Sequence, residues 1–191
     1  MDFRRFLLKR TKPVSWIILS YDVPDEPSRI RVRLWRQLKG MGALYPPFSF
    51  CIVPDSPDVQ SRLGELVSTV KSYGPLTLFK AKALSRKYLE TTYSLFEEDF
   101  EKEYRELHEE CEEFLDEIKN NITTGNITPT EVSELEELLH GLERWYSKIR
   151  RKDFISTSGP LVAEKLLNRC HRSLLSFSER AQPKRVGKVS R

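Results

Sequence analysis

A long seam of apolar residues in the second half of the chain constrains the fold most strongly. Its members are Leu89, Tyr93, Phe96, Phe100, Tyr104, Leu107, Cys111, Phe114 and Ile118. Their alternating steps of four and three residues wind onto one face of a single long helix. Two shorter seams, over residues 132–149 and 167–177, predict a second and a third helix. The short connection around Gly125 implies that the first two helices are antiparallel neighbours.

The segment before residue 84 has a different pattern, in which short apolar runs alternate with helical periodicity. It predicts strands at 14–21, 43–45, 48–53 and 76–81, and helices at 29–41 and 59–73, the first of which Ser28 can cap. With right-handed crossovers, the order βαββαβ predicts a ferredoxin-like sandwich with its helices on one face of the sheet.

The predicted fold class is therefore α+β, with three parts. A ferredoxin-like head spans residues 14–84, a long antiparallel helical hairpin plus a third helix spans 85–181, and a basic tail spans 182–191. The tail has few apolar residues, so we expect it to be disordered. Head and helices can equally share one core, in which case residue 84 marks only a change of secondary structure.

The composition is typical of a soluble cytoplasmic protein. Hydrophobic residues make up 39% and charged residues 31% of the 191 residues. No apolar run approaches the ~18 residues that cross a bilayer, and the N-terminus lacks the features of a secretory signal. The three cysteines, Cys51, Cys111 and Cys170, have no zinc-type spacing. We therefore predict free, buried thiols, no cofactor and no membrane partner.

The net charge is only +4, but the charges are unevenly distributed. Residues 1–49 contain ten basic and four acidic residues, residues 97–119 contain three basic and twelve acidic, and residues 144–191 contain thirteen basic and three acidic. Two basic regions thus flank an acidic one. This pattern indicates an anionic partner, an internal match of charges, or both.

The first helix carries a stripe of basic side chains. Arg29, Arg33 and Arg36 are spaced by four and three residues and share one face, with Arg31 and Lys39 beside it. Clustered guanidinium groups on a rigid helix suit phosphate contacts. The stripe predicts a nucleic-acid interface. The alternatives are a solvated face, or ion pairs with the acidic residues between 97 and 117.

Trp35 and Asp22 have two interpretations each. Trp35 lies beside the stripe, where it could stack on a base, although such a tryptophan more often closes the edge of a core. Asp22 ends the first strand, where a pair of carboxylates could bind Mg²⁺ for phosphodiester hydrolysis. No second acidic pair is convincingly placed in the head, and an aspartate that forms a turn before Pro24 is the simpler interpretation.

Histidine and cysteine residues on the predicted helices are further candidates. His108, Cys111 and Glu112 lie close on one helix surface, and Cys170 and His171 occur together in the third helix. A soft metal or a redox sensor could use them. Both cysteines fall on seam positions, however, so core thiols are the favoured interpretation and no metal is predicted. Phosphate-binding loops, dinucleotide fingerprints and nucleophile elbows are absent from the sequence, so an enzyme is not predicted.

The opening block resembles the N-terminal domain of ChrB, a family associated with bacterial chromate resistance. The resemblance rests on Trp16-Ile17-Ile18-Leu19, Val23-Pro24-x-x-Pro27-Ser28-Arg29, Val32, Trp35-Arg36-x-Leu38-Lys39 and Gly42-Ala43. It continues through Cys51-Ile52-Val53-Pro54, Glu131-Val132-x-Glu134-Leu135-Glu136-Glu137, Arg144-Trp145, Ile149 and Arg151-x-Asp153-Phe154. The head also resembles the ferredoxin-like module of PaaX-type repressors and of the small CRISPR-associated nucleases.

The resemblance implies a chromate-responsive transcriptional regulator with DNA as its partner and an oxyanion such as chromate as its effector. The further C-terminal chromate-resistance domain of longer members is not part of this sequence, which favours a stand-alone homologue with a different signal. We expect a DNA-binding regulator in which the helical hairpin either forms a homodimer or transmits a signal. The alternatives are a helical interaction module without nucleic acid, and a metal-dependent nuclease that uses Asp22.

Overall fold

A computed structural model describes residues 14–23, 28–45, 50–155 and 158–181. The elements are β1 (Trp16–Tyr21), α1 (Ser28–Gly40), β2 (Phe50–Pro54), α2 (Pro57–Val70), β3 (Leu76–Ala81), α3 (Arg86–Thr124), α4 (Pro129–Lys152) and α5 (Gly159–Ala181). The α+β class is confirmed. The basic tail of the sequence prediction lies outside the described residues.

The sheet has the strand order β2-β1-β3, and both of its pairs are antiparallel. Side chains alternate along β1, so Ile17 and Leu19 point to one face together with their cross-strand partners Val53 and Cys51. This face of the sheet and the helices α1 and α2 together form a buried core. Each large apolar side chain in it contributes about 1.5–3 kcal/mol to stability. The helix residues in the core are Leu34, Leu38, Val59, Leu63, Leu66 and Val70.

The strand predicted at residues 43–45 does not form among the described residues. Leu44 makes one isolated antiparallel bridge with Ile52, in which each backbone N–H donates to the other's carbonyl at 2.9 Å. Gly42, just before this segment, has a positive φ of 79°, which ends α1 and turns the chain. The described sheet therefore has three strands, one fewer than the βαββαβ order of the predicted ferredoxin-like sandwich.

Contacts divide the described residues into two units. Those up to residue 100, together with 151–155, form the first unit, and residues 101–150 with 158–181 form the second. This division does not coincide with the boundary that the sequence suggests at residue 84. The long helix α3 belongs to the first unit up to Phe100 and to the second unit from Glu101 onward.

The second face of the sheet is covered at one end by an aromatic cluster of the first unit. Trp16 of β1 stacks on Phe96 of α3 with ring centroids 4.9 Å apart. Phe154 completes the cluster, with its ring centroid 5.0 Å from that of Phe96, 5.6 Å from that of Phe100 and 5.8 Å from that of Trp16. Residues 151–155 thus contribute to the core of the first unit, although the other described residues of that unit lie at or before position 100.

The second unit consists of helical segments whose seams are buried as the periodicity predicts. Its buried residues include Tyr104, Leu107, Phe114, Ile118, Leu135, Leu139, Leu142, Tyr146, Ile149, Leu166, Leu174 and Phe177. The hydroxyl of Thr128 accepts a hydrogen bond from the N–H of Glu131 at 3.2 Å, so Thr128 caps α4. At the start of α5, Gly159 packs so closely on the ring of Tyr104 that a Cβ would overlap it.

Asp55, between β2 and α2, is a carboxylate of the first unit that accepts three hydrogen bonds. Its side chain is 3% exposed and accepts hydrogen bonds from Lys80 at 2.7 Å, Ser15 at 2.7 Å and Gln60 at 2.6 Å. These donors, Lys80 first, hold the pKa of Asp55 at about 2, below its ordinary value of 3.8. Asp55 thereby links Ser15, just before β1, to Lys80 of β3 and to Gln60 of α2.

Replacing Asp55 with Asn should lower the free energy of unfolding by about 1–2 kcal/mol at neutral pH, because amide oxygen is a weaker acceptor for Lys80. The pKa is depressed in the folded state, so this stabilisation is complete above about pH 4 and disappears as the pH falls toward 2. Urea titrations at pH 7 and pH 3 measure it. Asp58→Asn, at a carboxylate that is 77% exposed, is the control. An equal loss in both variants would contradict the role of Asp55.

Candidate nucleic-acid interface

The basic stripe of the sequence prediction lies on the exposed face of α1. Leu34 and Leu38 are completely buried in the core, which orients the helix, whereas Arg29, Arg33 and Arg36 on the opposite side are exposed. The helix spans Ser28–Gly40, where the sequence predicts residues 29–41 with Ser28 as the cap. Since the buried face is fixed by these leucines, the three guanidinium groups are held on one rigid surface.

The three arginines share one shallow depression on this surface. It has a volume of about 460 Å³ and is lined by Arg29, Val32, Arg33, Arg36 and Gln37. Val32 is 44% exposed and forms an apolar floor among the cationic side chains. Arg29, Arg33 and Arg36 form no ion pair with a described residue that would occupy their guanidinium groups. The depression can therefore accept an anionic backbone, whose phosphates the guanidinium groups would bind.

Trp35 and Arg31 flank this face of α1. Trp35 is 50% exposed, so half of its surface is covered by the protein, as at the edge of a core, and the exposed half of the indole is available for stacking. Arg31 is exposed and interacts electrostatically with Tyr21 at the end of β1, where burial raises the pKa of the tyrosine and the arginine opposes part of that rise. Trp35 therefore adds an aromatic surface beside the arginines.

Lys39 has a partner within the chain. Its Nζ lies 3.0 and 3.1 Å from the two carboxylate oxygens of Asp99 on α3, and 5.9 Å from the centre of the Tyr45 ring. Both charged side chains are about one quarter exposed. This pair ties the end of α1 to α3, and it competes with any phosphate for the ammonium group. We therefore leave Lys39 out of the interface proposed below.

Arg62 of α2 extends the basic surface, and sequence analysis did not single it out. Its Nη2 donates to the carbonyl of Gly40 at 3.0 Å, which brings α2 to the end of α1. Arg62 and Arg33 line one depression of about 220 Å³, and Asp58 lies 3.5 Å from the Arg62 guanidinium. The only local signal is the spacing of Asp58 and Arg62, which predicts an ion pair and not a neighbour of α1.

Asp22 is exposed and has a backbone role. Its N–H donates to the carbonyl of Pro75 at 3.0 Å. Gly74 approaches the Asp22 carbonyl so closely that a Cβ would overlap it, which explains glycine at this position. Within the described ranges, no group of three or more His, Cys, Asp or Glu side chains is arranged to hold a metal ion. The hydrogen bond from Asp22 to Pro75 continues the β1–β3 pairing by one residue, and the predicted turn before Pro24 involves residues 24–27, which lie outside the described residues.

The structure brings the candidates Cys111 and Cys170 together, but within the described ranges no third His, Cys, Asp or Glu joins them to hold a metal ion. Cys111 and Cys170 are completely buried, and the Cys170 thiol lies 3.6 Å from the Cys111 carbonyl. Glu112 pairs with Arg169 at 3.1 Å, and His171 lies 2.7 Å from Glu143. The hydrogen bond with Cys170, and then burial, raise the pKa of Cys111, while burial raises the pKa of Cys51 to about 12. Thiols with raised pKa values are poor nucleophiles at neutral pH.

A family model described as "Protein ChrB, N-terminal" matches residues 31–186 of the chain. The chain belongs to the ChrB N-terminal family. The match includes Arg31, Arg33, Trp35 and Arg36 of the α1 surface and Phe154 of the aromatic cluster. Asp22 and Arg29 precede the matched residues. The resemblance found in the sequence is thereby confirmed at the level of the family.

No curated protein matches the chain. Among the helices of the described residues, none combines the length and the apolar character that crossing a bilayer requires.

Proposed function

We propose that this ChrB-family chain is a DNA-binding transcriptional regulator of a chromate or other stress-resistance operon. The observation that carries the proposal is the shared depression of Arg29, Arg33 and Arg36 on the exposed face of α1. These side chains are mounted on a helix whose opposite face is fixed in the core by Leu34 and Leu38. Family membership supports the regulatory half of the proposal.

Phosphate contacts would position the protein on the duplex, and the side chains of Trp35 and Arg62 lie beside these contacts. Each arginine that binds a phosphate releases counterions from DNA, so affinity should fall steeply with salt. Trp35, half exposed beside the arginines, can stack on or pack against a nucleotide. Arg62 lies next to Arg33, although Asp58 at 3.5 Å and the Gly40 carbonyl already engage its guanidinium group. Phosphate contacts carry no sequence information, so specificity would come from groove contacts or DNA shape.

The test is a gel-shift titration with the DNA upstream of the protein's own gene, at several salt concentrations, with and without chromate. A scrambled duplex of the same length and composition is the control for sequence preference, and sulfate is the control for chromate. Sequence-preferring binding that chromate but not sulfate releases supports both regulator and effector. Binding that ignores chromate discards that effector. Absence of binding at low salt overturns the proposal.

A helical interaction module without nucleic acid is the second candidate, and two ion pairs favour it. Lys39 pairs with Asp99 inside the first unit, and Arg169 pairs with Glu112 inside the second. Acidic residues of α3 thus already meet basic residues of the chain, as an internal match of charges would require. If further pairs of this kind also form between copies of the chain, sedimentation should show the assembly dissociating in high salt. A monomer that is indifferent to salt counts against this function.

A further inference from the structure

The strand β3 is an open edge of the sheet in the described part of the chain. Its only strand partner there is β1, so one side of its backbone is left without a ladder. The four central residues, Thr77 to Lys80, are all exposed. Two of them are large and apolar and lie on opposite faces, Leu78 at 41% exposure and Phe79 at 56%. Open edges of this kind pair readily with another strand.

The usual electrostatic protection of an edge is missing from β3. Proteins commonly place a free lysine on such a strand so that two copies repel each other. The single charged residue of β3 is Lys80. Its Nζ lies 2.7 Å from the carboxylate of Asp55, the residue that follows β2 in the chain. The Lys80 charge is therefore directed across the sheet and compensated within the same molecule. The ion pair thereby reduces the like-charge repulsion between two β3 edges, although the Lys80 side chain is 65% exposed.

An apolar row crosses the sheet and ends at this edge. Ile18 in the centre lies opposite Ile52 on one side and Phe79 on the other, and Leu44 bridges to Ile52. Leu44, Ile52 and Ile18 are each partly buried, while Phe79 at the end of the row is the most exposed of the four. The row lies on the face opposite the α1 and α2 core. Its exposed end indicates that something apolar continues it.

We propose that the occupant of this edge is β3 of a second copy of the chain. Two copies related by a two-fold axis perpendicular to the sheet pair their β3 strands antiparallel, and residues that face each other then lie on the same face. With the axis at Phe79, Phe79 meets Phe79 of the partner subunit. The two sheets become one of six strands, and the apolar row continues across the axis.

Self-pairing is favoured because the edge is complementary to itself in charge as well as in hydrogen bonding. An edge with a net charge would select a partner of opposite charge, whereas this edge is neutral once Lys80 is paired. The centre contributes an aromatic pair, which stabilises antiparallel sheets beyond its buried area. A strand of six residues buries little area, so we expect a dissociation constant on the order of micromolar.

Sedimentation velocity of the full chain tests the pairing over roughly 1–200 µM, a range that brackets the expected constant. Wild-type protein should shift from monomer to dimer. Phe79→Lys should raise the dissociation constant about tenfold or more, because two ammonium groups would face each other at the axis. Leu84→Lys, at a side chain that is 95% exposed and outside β3, should leave the constant unchanged. A wild-type monomer throughout, or a Phe79→Lys dimer as strong as wild type, overturns the proposal.

A cross-link identifies the register independently of affinity. In Phe79→Cys the two new thiols face each other across the axis, and oxidised glutathione should join them in a disulfide while it takes up two electrons and two protons. Leu84→Cys is the matched control, and the native Cys51, Cys111 and Cys170 are buried. Rapid dimer formation in Phe79→Cys alone supports the pairing, and equal rates in both variants overturn it. Neither experiment contains DNA, so this result is independent of the gel-shift result.

Discussion

Alanine at Arg29, Arg33 and Arg36 together should weaken DNA binding about 100-fold at physiological salt. Each side chain that leaves a phosphate removes roughly 1 kcal/mol at an exposed site, and three such losses add because the groups act on separate phosphates. The slope of the logarithm of affinity against the logarithm of salt concentration should fall by about 2.7, that is, by about 0.9 for each contact. Fluorescence anisotropy titrations at four salt concentrations measure both quantities.

The matched control for this variant replaces Lys71, Lys82 and Lys87 with alanine. These lysines are exposed, belong to the first unit and lie outside α1, so the net charge changes by the same amount. If only the total charge mattered, both variants would lose affinity equally. A control variant as weak as the arginine variant would remove α1 as the interface. An arginine variant with an unchanged slope would do the same.

Replacing Phe154 with alanine should lower the free energy of unfolding by about 3–5 kcal/mol, which is the usual cost of deleting a buried aromatic ring. Phe154 is 8% exposed, and its ring lies within 6 Å of the rings of Phe96, Phe100 and Trp16. The cavity left behind would be lined by stiff aromatic side chains that relax poorly. The loss is therefore expected near the upper part of that range.

Urea denaturation followed by tryptophan fluorescence measures this change, since Trp16 lies in the cluster. Phe154→Leu keeps much of the volume and should cost less than about 1.5–2 kcal/mol. Leu84→Ala is the surface control, because Leu84 is 95% exposed and should change stability by no more than about 0.5 kcal/mol. A loss below about 1 kcal/mol for Phe154→Ala would mean that residues 151–155 do not belong to the core of the first unit.

Local periodicity predicted the helices well, because the buried face of a helix is set by residues three and four positions apart. Leu34 and Leu38 orient α1 as the sequence indicates, and the seam of α3 is buried from Phe96 to Ile118. The strand at residues 76–81 was predicted with its observed bounds. The segment at 43–45 failed as a strand because three residues before two prolines leave room for only one bridge.

The sequence indicated long-range partners only in general terms. Ion pairs between the basic stripe and the acidic residues 97–117 were one expected alternative, and Lys39 with Asp99, 60 residues away, is a pair of this kind, but no local pattern identifies which residues meet. The same holds for Arg62, whose contact with the end of α1 depends on how α1 and α2 pack. The half exposure of Trp35 is compatible with both interpretations that the sequence offered, a core edge and a stacking surface.

Because residues 151–155 complete the aromatic cluster of the first unit, they determine when that unit can fold during synthesis. The first unit is built from two stretches of chain, and residues 101–150, which lie between them in sequence, belong to the second unit. No single cut in the gene can therefore yield the first unit with its aromatic cluster complete. During translation, Trp16 and Phe96 leave the ribosome long before Phe154, so the first unit must wait for α4 to be synthesised before its core can close.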